Sequence, residues 1–172
     1  MPLCHDEFND LAVEWPMILV GWRGFARRKL SAEEVVASAL SRIGRGTDEQ
    51  DEITALLANT DPGEWQTIDR YLERLAGGDE FDKELALRRW RLAELNHLIK
   101  SLNPSDGPVD EEECDSVNYA LQDFWLTYNE VLDDGADVRP EYGTSILQML
   151  ADQQAWVDRE KTALHDTPEK RP

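Results

Sequence analysis

Few residues in this chain have the types and spacing that catalysis or metal binding requires. Its three histidines are His5, His97 and His165, and its two cysteines are Cys4 and Cys114. No two histidines form an HExxH pair and neither cysteine has a CxxC companion, although zinc sites commonly use these spacings. Cys4 and His5 are adjacent, which is a poor geometry for chelating one ion. We therefore expect no structural zinc site.

Motifs that mark enzymes are also missing from the sequence. The single ExxH pair, Glu94 and His97, falls short of the two such pairs that metal sites in helical bundles use. A calcium loop starting at Asp133 fails because position three is Gly135 and position twelve is Thr144 rather than glutamate. The chain has no GxSxG, P-loop or GxGxxG motif. The sequence thus predicts no catalytic residue, metal or cofactor, and the least favoured alternative is a metal-dependent enzyme that uses His97 with nearby carboxylates.

Acidic side chains are the most pronounced feature of the composition. The chain holds 36 acidic and 18 basic residues, a formal net charge of −18, and residues 105–141 contain twelve of the acids and one base. On a helix that begins at Asp110, one face carries Glu112, Asp115, Tyr119, Asp123 and Glu130. The acids that follow this helix are Asp133, Asp134, Asp137 and Glu141. The opposite side, which we expect to be buried, carries Val117, Leu121, Phe124, Tyr128 and Val131.

Such an acidic helix is poorly suited to stabilise itself. Like charges four residues apart disfavour a helix, and acids near its C-terminus oppose the helix dipole. We therefore predict that the acidic face and the acids after it bind a basic protein partner, with Trp125 nearby as an exposed aromatic anchor. The alternative is a solvated face whose charge serves only solubility.

Apolar residues recur at helical spacing between short clusters of glycine, proline and aspartate. The predicted helices run from Pro16 towards Arg28, from the Ser31–Glu34 capping box to Ile43, from Thr47 to Leu57, from Pro62 to Leu75, from Phe81 to Leu102, from Asp110 to Leu132, and from Ile146 through Trp156. No segment alternates as a strand does. The sequence thus predicts an all-α, single-domain bundle of six to seven helices over residues 1–165. A two-lobed version with sub-lobes 1–102 and 108–165 is the alternative, and residues 166–172 form a polar tail.

Other residues are expected to serve packing. The six tryptophans come at about one per predicted helix, which is typical of core anchors. Gly21 and Gly24 weaken the first helix unless they let another helix approach closely. We expect the basic group Arg88, Arg89 and Arg91 to pair with acids of the same bundle rather than to contact phosphate.

The net charge also limits the kinds of partner. Nucleic acids and anionic membranes require a basic surface, so neither is expected as the main partner. No apolar run approaches the ~20 residues that span a membrane. The N-terminus is acidic where a secretory signal would be basic and then apolar. With only two cysteines, a reducing cytoplasm is the expected location.

The first third of the chain contains Trp15, Gly21, the run Leu30-Ser31-x-Glu33-Glu34-Val35, and Ala39. Together with the small size, the strong acidity and the helical pattern, these residues resemble immunity proteins of bacterial polymorphic-toxin and contact-dependent inhibition systems. The resemblance implies a non-enzymatic cytoplasmic protein that binds and blocks a cognate toxin domain, often a basic nuclease.

The sequence therefore predicts an immunity protein that neutralises a basic toxin domain through its acidic surface. The alternative without a toxin partner is a helical adaptor, or a homo-oligomer that associates through residues 125–128. The oligomeric state is left open by the sequence.

Overall fold

The structure is a computed structural model that describes residues 13–24, 29–102, 111–141 and 143–166. Within these ranges the chain forms seven α-helices, one short 3-10 helix and no β-strand. The α-helices are α1 (Trp15–Arg23), α2 (Ala32–Leu40), α3 (Asp48–Ala58), α4 (Trp65–Leu75), α5 (Lys83–Ser101), α6 (Glu111–Val131) and α7 (Ile146–Asp166). The 3-10 helix, Gly78–Glu80, lies between α4 and α5. For the described part of the chain, the all-α class and the number of helices are confirmed.

The chain groups into two compact units that divide between Trp90 and Arg91, inside α5. The first unit contains α1 to α4 and the beginning of α5, and the second contains the rest of α5 with α6 and α7. The predicted sub-lobe boundary at residues 103–108 and the tail after Asp166 lie outside the described residues. The single-domain organisation over residues 1–165 stays a prediction.

Local side-chain hydrogen bonds begin the helices of the first unit as the sequence predicts. The Ser31 hydroxyl accepts the backbone N–H of Glu34, while the Glu34 carboxylate accepts the backbone N–H of Ser31. The predicted capping box is therefore confirmed. Thr47 caps α3 by accepting the backbone N–H of Gln50 at 3.4 Å.

The first helix does not continue through Gly24 as predicted, and residues 25–28 of the predicted helix lie outside the described residues. α1 ends at Arg23, because Gly24 adopts the left-handed backbone conformation with φ 69° and its N–H bonds back to the last turn. Glycine takes this conformation without the steric cost that a Cβ atom brings, so it is a common helix terminator.

The predicted start of the fourth helix at Pro62 is also wrong. The Asp61 carboxylate accepts the backbone N–H of Gly63 at 2.7 Å, and this local turn delays α4 until Trp65. As the first residue of α4, Trp65 is 60% exposed, although the sequence placed it in the core. Three other apolar residues of α4 that recur at helical spacing, Ile68, Leu72 and Leu75, are buried.

Gly21 lies directly against the indole ring of Trp90. A Cβ atom at Gly21 would lie 2.5 Å from Cη2 and 2.8 Å from Cζ2 of that ring, well inside van der Waals contact. Trp90 is fully buried in the first unit. The expectation that Gly21 permits close packing is therefore confirmed.

An ion pair and a hydrogen bond join α1 to α4 beside this contact. Arg23 Nε and Trp22 Nε1 each donate to the Asp69 carboxylate at 3.1 Å. The bond to Asp69 raises the pKa of the Arg23 guanidinium, with a smaller contribution from Glu73. Asp69 therefore accepts from two neighbouring residues of α1 and fixes the direction of that helix on α4.

We expect Gly21→Ala to lower the free energy of unfolding by about 1–3 kcal/mol, because the added methyl group overlaps the buried Trp90 ring. Urea unfolding followed by circular dichroism measures this change. Trp90→Phe removes the ring atoms that clash, so the Gly21→Ala penalty should shrink in that background. An equal penalty in both backgrounds would contradict the packing described for α1.

Candidate partner-binding surface

α6 turns one line of side chains towards the core of the second unit and the opposite line towards solvent. Val117, Leu121, Phe124 and Tyr128 share one side and are all buried, as predicted. Because a helix turns by about 100° per residue, the positions about 180° away form a second line within a sector of about 80°. We call this second line the outer stripe: Glu112, Asp115, Tyr119, Asp123, Leu126 and Glu130.

The outer stripe alternates carboxylates with two large apolar side chains. Tyr119 is 74% exposed and Leu126 is 49% exposed. Glu112, Asp115 and Glu130 are exposed, and Asp123 is half-buried. The structure thus brings together the five residues predicted for this face and adds Leu126. A signal for Leu126 was present in the sequence, because it follows Tyr119 by seven residues and so lies on the same line of the helix.

Trp125 is not the exposed aromatic anchor that the sequence predicts. Its side chain is fully buried, and its Nε1 donates to Oε1 of Gln153 on α7 at 2.8 Å. The ring packs edge-on against Phe124 and Trp156, with centroids 5.4 Å and 5.0 Å away. Since Trp125 follows Asp123 by two residues, it is rotated by about 200° from it and faces away from the outer stripe.

One other expectation for α6 needs correction. Val131, expected in the core, is 42% exposed because it is the last residue of the helix and lies at the edge of the buried side. Self-association through residues 125–128 stays a prediction, but the Trp125 and Tyr128 side chains of that region are both fully buried. These two aromatic rings are therefore not available to a second copy of the chain.

The Asp134 carboxylate pairs with a buried cation of the second unit, and 18% of the Asp134 side chain is exposed. It accepts two hydrogen bonds from Arg91, from Nη1 at 3.0 Å and from Nη2 at 2.6 Å. The Arg91 side chain is completely buried, lies 3.6 Å from the Glu160 carboxylate and faces the ring of Trp156 at 4.9 Å. A buried charge without partners is very unfavourable, so this cation needs its carboxylates. Asp134 therefore has a structural role, and its predicted part in partner binding stays a prediction.

The acidic loop, which we define as residues 132–141, is attached to the second unit at three points. Asp134 provides the first through Arg91. At the second, Gln153 donates to the backbone oxygen of Val138 at 2.5 Å. The third is a hydrogen bond of 3.4 Å from Gln122 to the backbone oxygen of Pro140. These polar contacts and the buried Leu132 at the start of the loop therefore hold it in place.

The remaining acids of the loop differ in how much of their charge is offset. Asp137 forms an ion pair with Arg139 at 2.6 Å. Asp133 and Glu141 are exposed. The negative charge of the predicted surface is thus strongest at the outer stripe and at Asp133 and Glu141. It is weaker at Asp137, where Arg139 offsets it.

The basic group on α5 pairs with acids, as expected. Arg89 forms an ion pair with Glu14 in the first unit, and Arg91 pairs with Asp134 and Glu160 in the second. For Arg89 and Arg91 the predicted pairing is confirmed.

The structure brings no metal-binding cluster together in the part of the chain that it describes. No three histidine, cysteine, aspartate or glutamate side chains there are placed to hold an ion. Glu94, the acid of the ExxH pair, accepts a hydrogen bond from the Tyr128 hydroxyl. Cys4 and His5 lie outside the described residues. Among the described helices, none is long and apolar enough to cross a membrane.

We expect Arg91→Met to lower the free energy of unfolding by about 3 kcal/mol or more, because the Asp134 and Glu160 carboxylates lose their buried cation. Arg159→Met is the matched control, since it removes the same charge from an exposed position of α7. The control should change stability by less than about 0.5 kcal/mol. Equal urea unfolding curves for the two variants would contradict the structural role of Arg91.

Comparison with known proteins gives one family. A family model described as "Uncharacterized protein conserved in bacteria (DUF2247)" matches residues 6–125. The match includes the outer stripe as far as Asp123, and Leu126 and Glu130 follow it. No curated protein and no solved structure matches the chain.

Proposed function

The chain belongs to DUF2247, a family of proteins conserved in bacteria, and from this premise we propose that it is a non-enzymatic binding protein that takes a basic protein partner on its acidic surface. The surface consists of the outer stripe with Asp133 and Glu141. One observation carries the proposal: the outer stripe holds four carboxylates and no cation on the solvent side of α6. The nearest base in the sequence after α6 is Arg139, which already pairs with Asp137.

Charge of one sign on a single surface mainly affects how fast a protein partner associates and which partner is selected. Exposed carboxylates keep their water, so each ion pair with a partner adds little to affinity. Their summed field attracts a basic protein and orients it, and it disfavours acidic competitors. The expected complex therefore forms quickly and weakens as salt concentration rises.

The charge distribution along α6 also favours a basic partner. The first turn carries Glu111, Glu112 and Glu113, which suit the helix N-terminus. The last turn has no basic residue and instead carries Glu130, with Asp133 just beyond it. These carboxylates interact unfavourably with the negative end of the helix dipole. Cations of a bound protein would supply the positive charge that the last turn of α6 lacks.

We propose further that the partner is the cognate toxin domain of a bacterial toxin system and that the chain is its cytoplasmic immunity protein. The resemblance at Trp15–Ala39 supports this identification, and so does the occurrence of the family in bacteria. An acidic helix that covers a basic nuclease would place carboxylates where the enzyme otherwise contacts phosphates. Inhibition then requires only occlusion of the toxin site and no chemistry by this chain.

The test is capture of the partner from the native cell with the tagged full-length chain, at low and then at high salt. We expect one basic protein to be retained at low salt and released at high salt. Asp115→Lys with Glu130→Lys should lower its association rate roughly tenfold at low salt, because the variant loses the attractive field of the outer stripe. Surface plasmon resonance with the captured protein measures this rate.

A matched control distinguishes this surface from net charge. Glu52→Lys with Glu64→Lys makes the same change of charge at exposed positions of the first unit and should leave the association rate near that of the unmodified chain. Equal slowing by both double variants would contradict the assignment to α6. Loss of the partner's toxic activity on binding would support the immunity function, whereas a harmless basic partner would favour the adaptor alternative.

Glu130→Lys separates binding from stability. In the free protein this change removes an unfavourable interaction with the helix C-terminus, so it should raise the free energy of unfolding by up to about 1 kcal/mol. The same change should weaken capture of the basic partner. Thermal unfolding by circular dichroism at low ionic strength measures the first effect, and a fall in melting temperature would contradict the electrostatic argument.

A further inference from the structure

We propose that the outer stripe receives an amphipathic basic helix, with Tyr119 and Leu126 as its apolar contacts and the flanking carboxylates as its ion-pair partners. This inference rests on the proposed function and specifies how the partner is recognised. It replaces the buried Trp125, which the sequence suggested as the anchor, by two side chains that are exposed.

Tyr119 and Leu126 are placed as a pair rather than scattered. They are seven residues apart on α6, which is about 10.5 Å along one line of the helix. Single exposed apolar residues are ordinary on protein surfaces. Solubility could explain the acids of the outer stripe, but it does not explain why Tyr119 and Leu126 are exposed among them. A tyrosine that is 74% exposed also retains most of its surface for burial against a partner.

Two of the carboxylates repeat with the same period. Asp123 and Glu130 are seven residues apart, and they follow Tyr119 and Leu126 by four residues each. In helices that pack side by side, apolar residues recur at fixed places of a seven-residue repeat with charged residues beside them, and the outer stripe offers one such apolar place, at Tyr119 and Leu126. In such a pair the apolar residues meet along the seam, and charged residues beside the seam select the partner.

The repeat distance decides between a helix and an extended strand as the bound element. Successive apolar residues of a partner helix with the same seven-residue period are also about 10.5 Å apart and meet Tyr119 and Leu126 together. Residues on one face of a strand repeat at about 6.7 Å, so they do not match both contacts. The outer stripe from Glu112 to Glu130 is about 27 Å long, which corresponds to about five turns of partner helix.

Charge decides between a second copy of this chain and a different protein. Pairing two outer stripes would bring carboxylates against carboxylates in a protein whose net charge is already −18. Like charges placed opposite one another are unfavourable and select against such a pair. The occupant is therefore a helix with lysine or arginine beside its apolar line.

The probes are two synthetic helix-forming peptides of about 21 residues, slightly longer than the outer stripe. Both have the same leucine, alanine and lysine composition. In the first, leucine recurs every seventh residue with lysine beside it, and in the second the order is scrambled. Fluorescence anisotropy with the full chain gives the dissociation constants. We expect the first peptide to bind at least tenfold more tightly, because only its leucines align with Tyr119 and Leu126.

Three variants identify the source of the difference. Tyr119→Gln with Leu126→Gln keeps good helix formers on α6 and should remove the preference for the first peptide. Leu147→Gln changes a residue of α7 that is 71% exposed and should preserve the preference. Asp115→Lys with Glu130→Lys should weaken both peptides. Far-ultraviolet circular dichroism confirms that each variant is folded.

The outcomes separate this inference from the proposed function. Equal binding of both peptides to the unmodified chain overturns the helix-docking inference, because it indicates attraction by charge alone. The inference is also overturned if the unmodified chain sediments as a dimer and the Tyr119→Gln, Leu126→Gln variant sediments as a monomer. Capture of the native partner that depends on Asp115 and Glu130 but not on Tyr119 and Leu126 overturns the inference and supports the proposed function. Capture that depends on neither pair defeats the proposed function itself.

Discussion

The second unit depends on a cation that has no contact with solvent. The Arg91 guanidinium of α5 is completely buried, is paired with Asp134 of the acidic loop and Glu160 of α7, and lies against the rings of Trp125 and Trp156. Removing a guanidinium from water is costly unless carboxylates and aromatic faces replace the lost hydration. The second half of α5, the acidic loop and α7 can therefore pack stably only in an arrangement that delivers these partners.

This requirement divides the acids of the second unit into two classes. Asp134 and Glu160 are largely shielded and balance a buried charge, so they contribute to folding. Glu112, Asp115 and Glu130 face solvent on α6, where nothing in the described part of the second unit offsets them and where the last of them opposes the helix dipole. The loop that follows α6 carries further acids, and its position relies on Arg91, Gln153 and Gln122. Acids thus have two roles in the second unit: Asp134 and Glu160 stabilise its fold, and the exposed acids of α6 form its surface.

Features that depend on neighbours in the chain were predictable. The Ser31–Glu34 capping box is a bond between residues three apart, and the buried line from Val117 to Tyr128 follows from the turn of the helix. Boundaries were less predictable, because local alternatives compete closely. Gly24 ended α1 early, and the turn at Asp61 delayed α4. Both helix ends depend on small local conformational preferences, which the spacing of apolar residues does not reveal.

The sequence by itself determined the all-α class and the line of α6 on which the acids lie, because helical periodicity is a property of consecutive residues. Only the tertiary structure decided which parts of that helix are covered. Trp125 is buried because Gln153 and Trp156 come to it from α7, and Leu126 is exposed because it lies on the side where no described element of the second unit covers it. The Asp134 carboxylate pairs with Arg91, which is distant in sequence, and only 18% of the Asp134 side chain is exposed. The period of a helix gives the angle between its residues, whereas burial at each angle depends on residues that are far away along the chain.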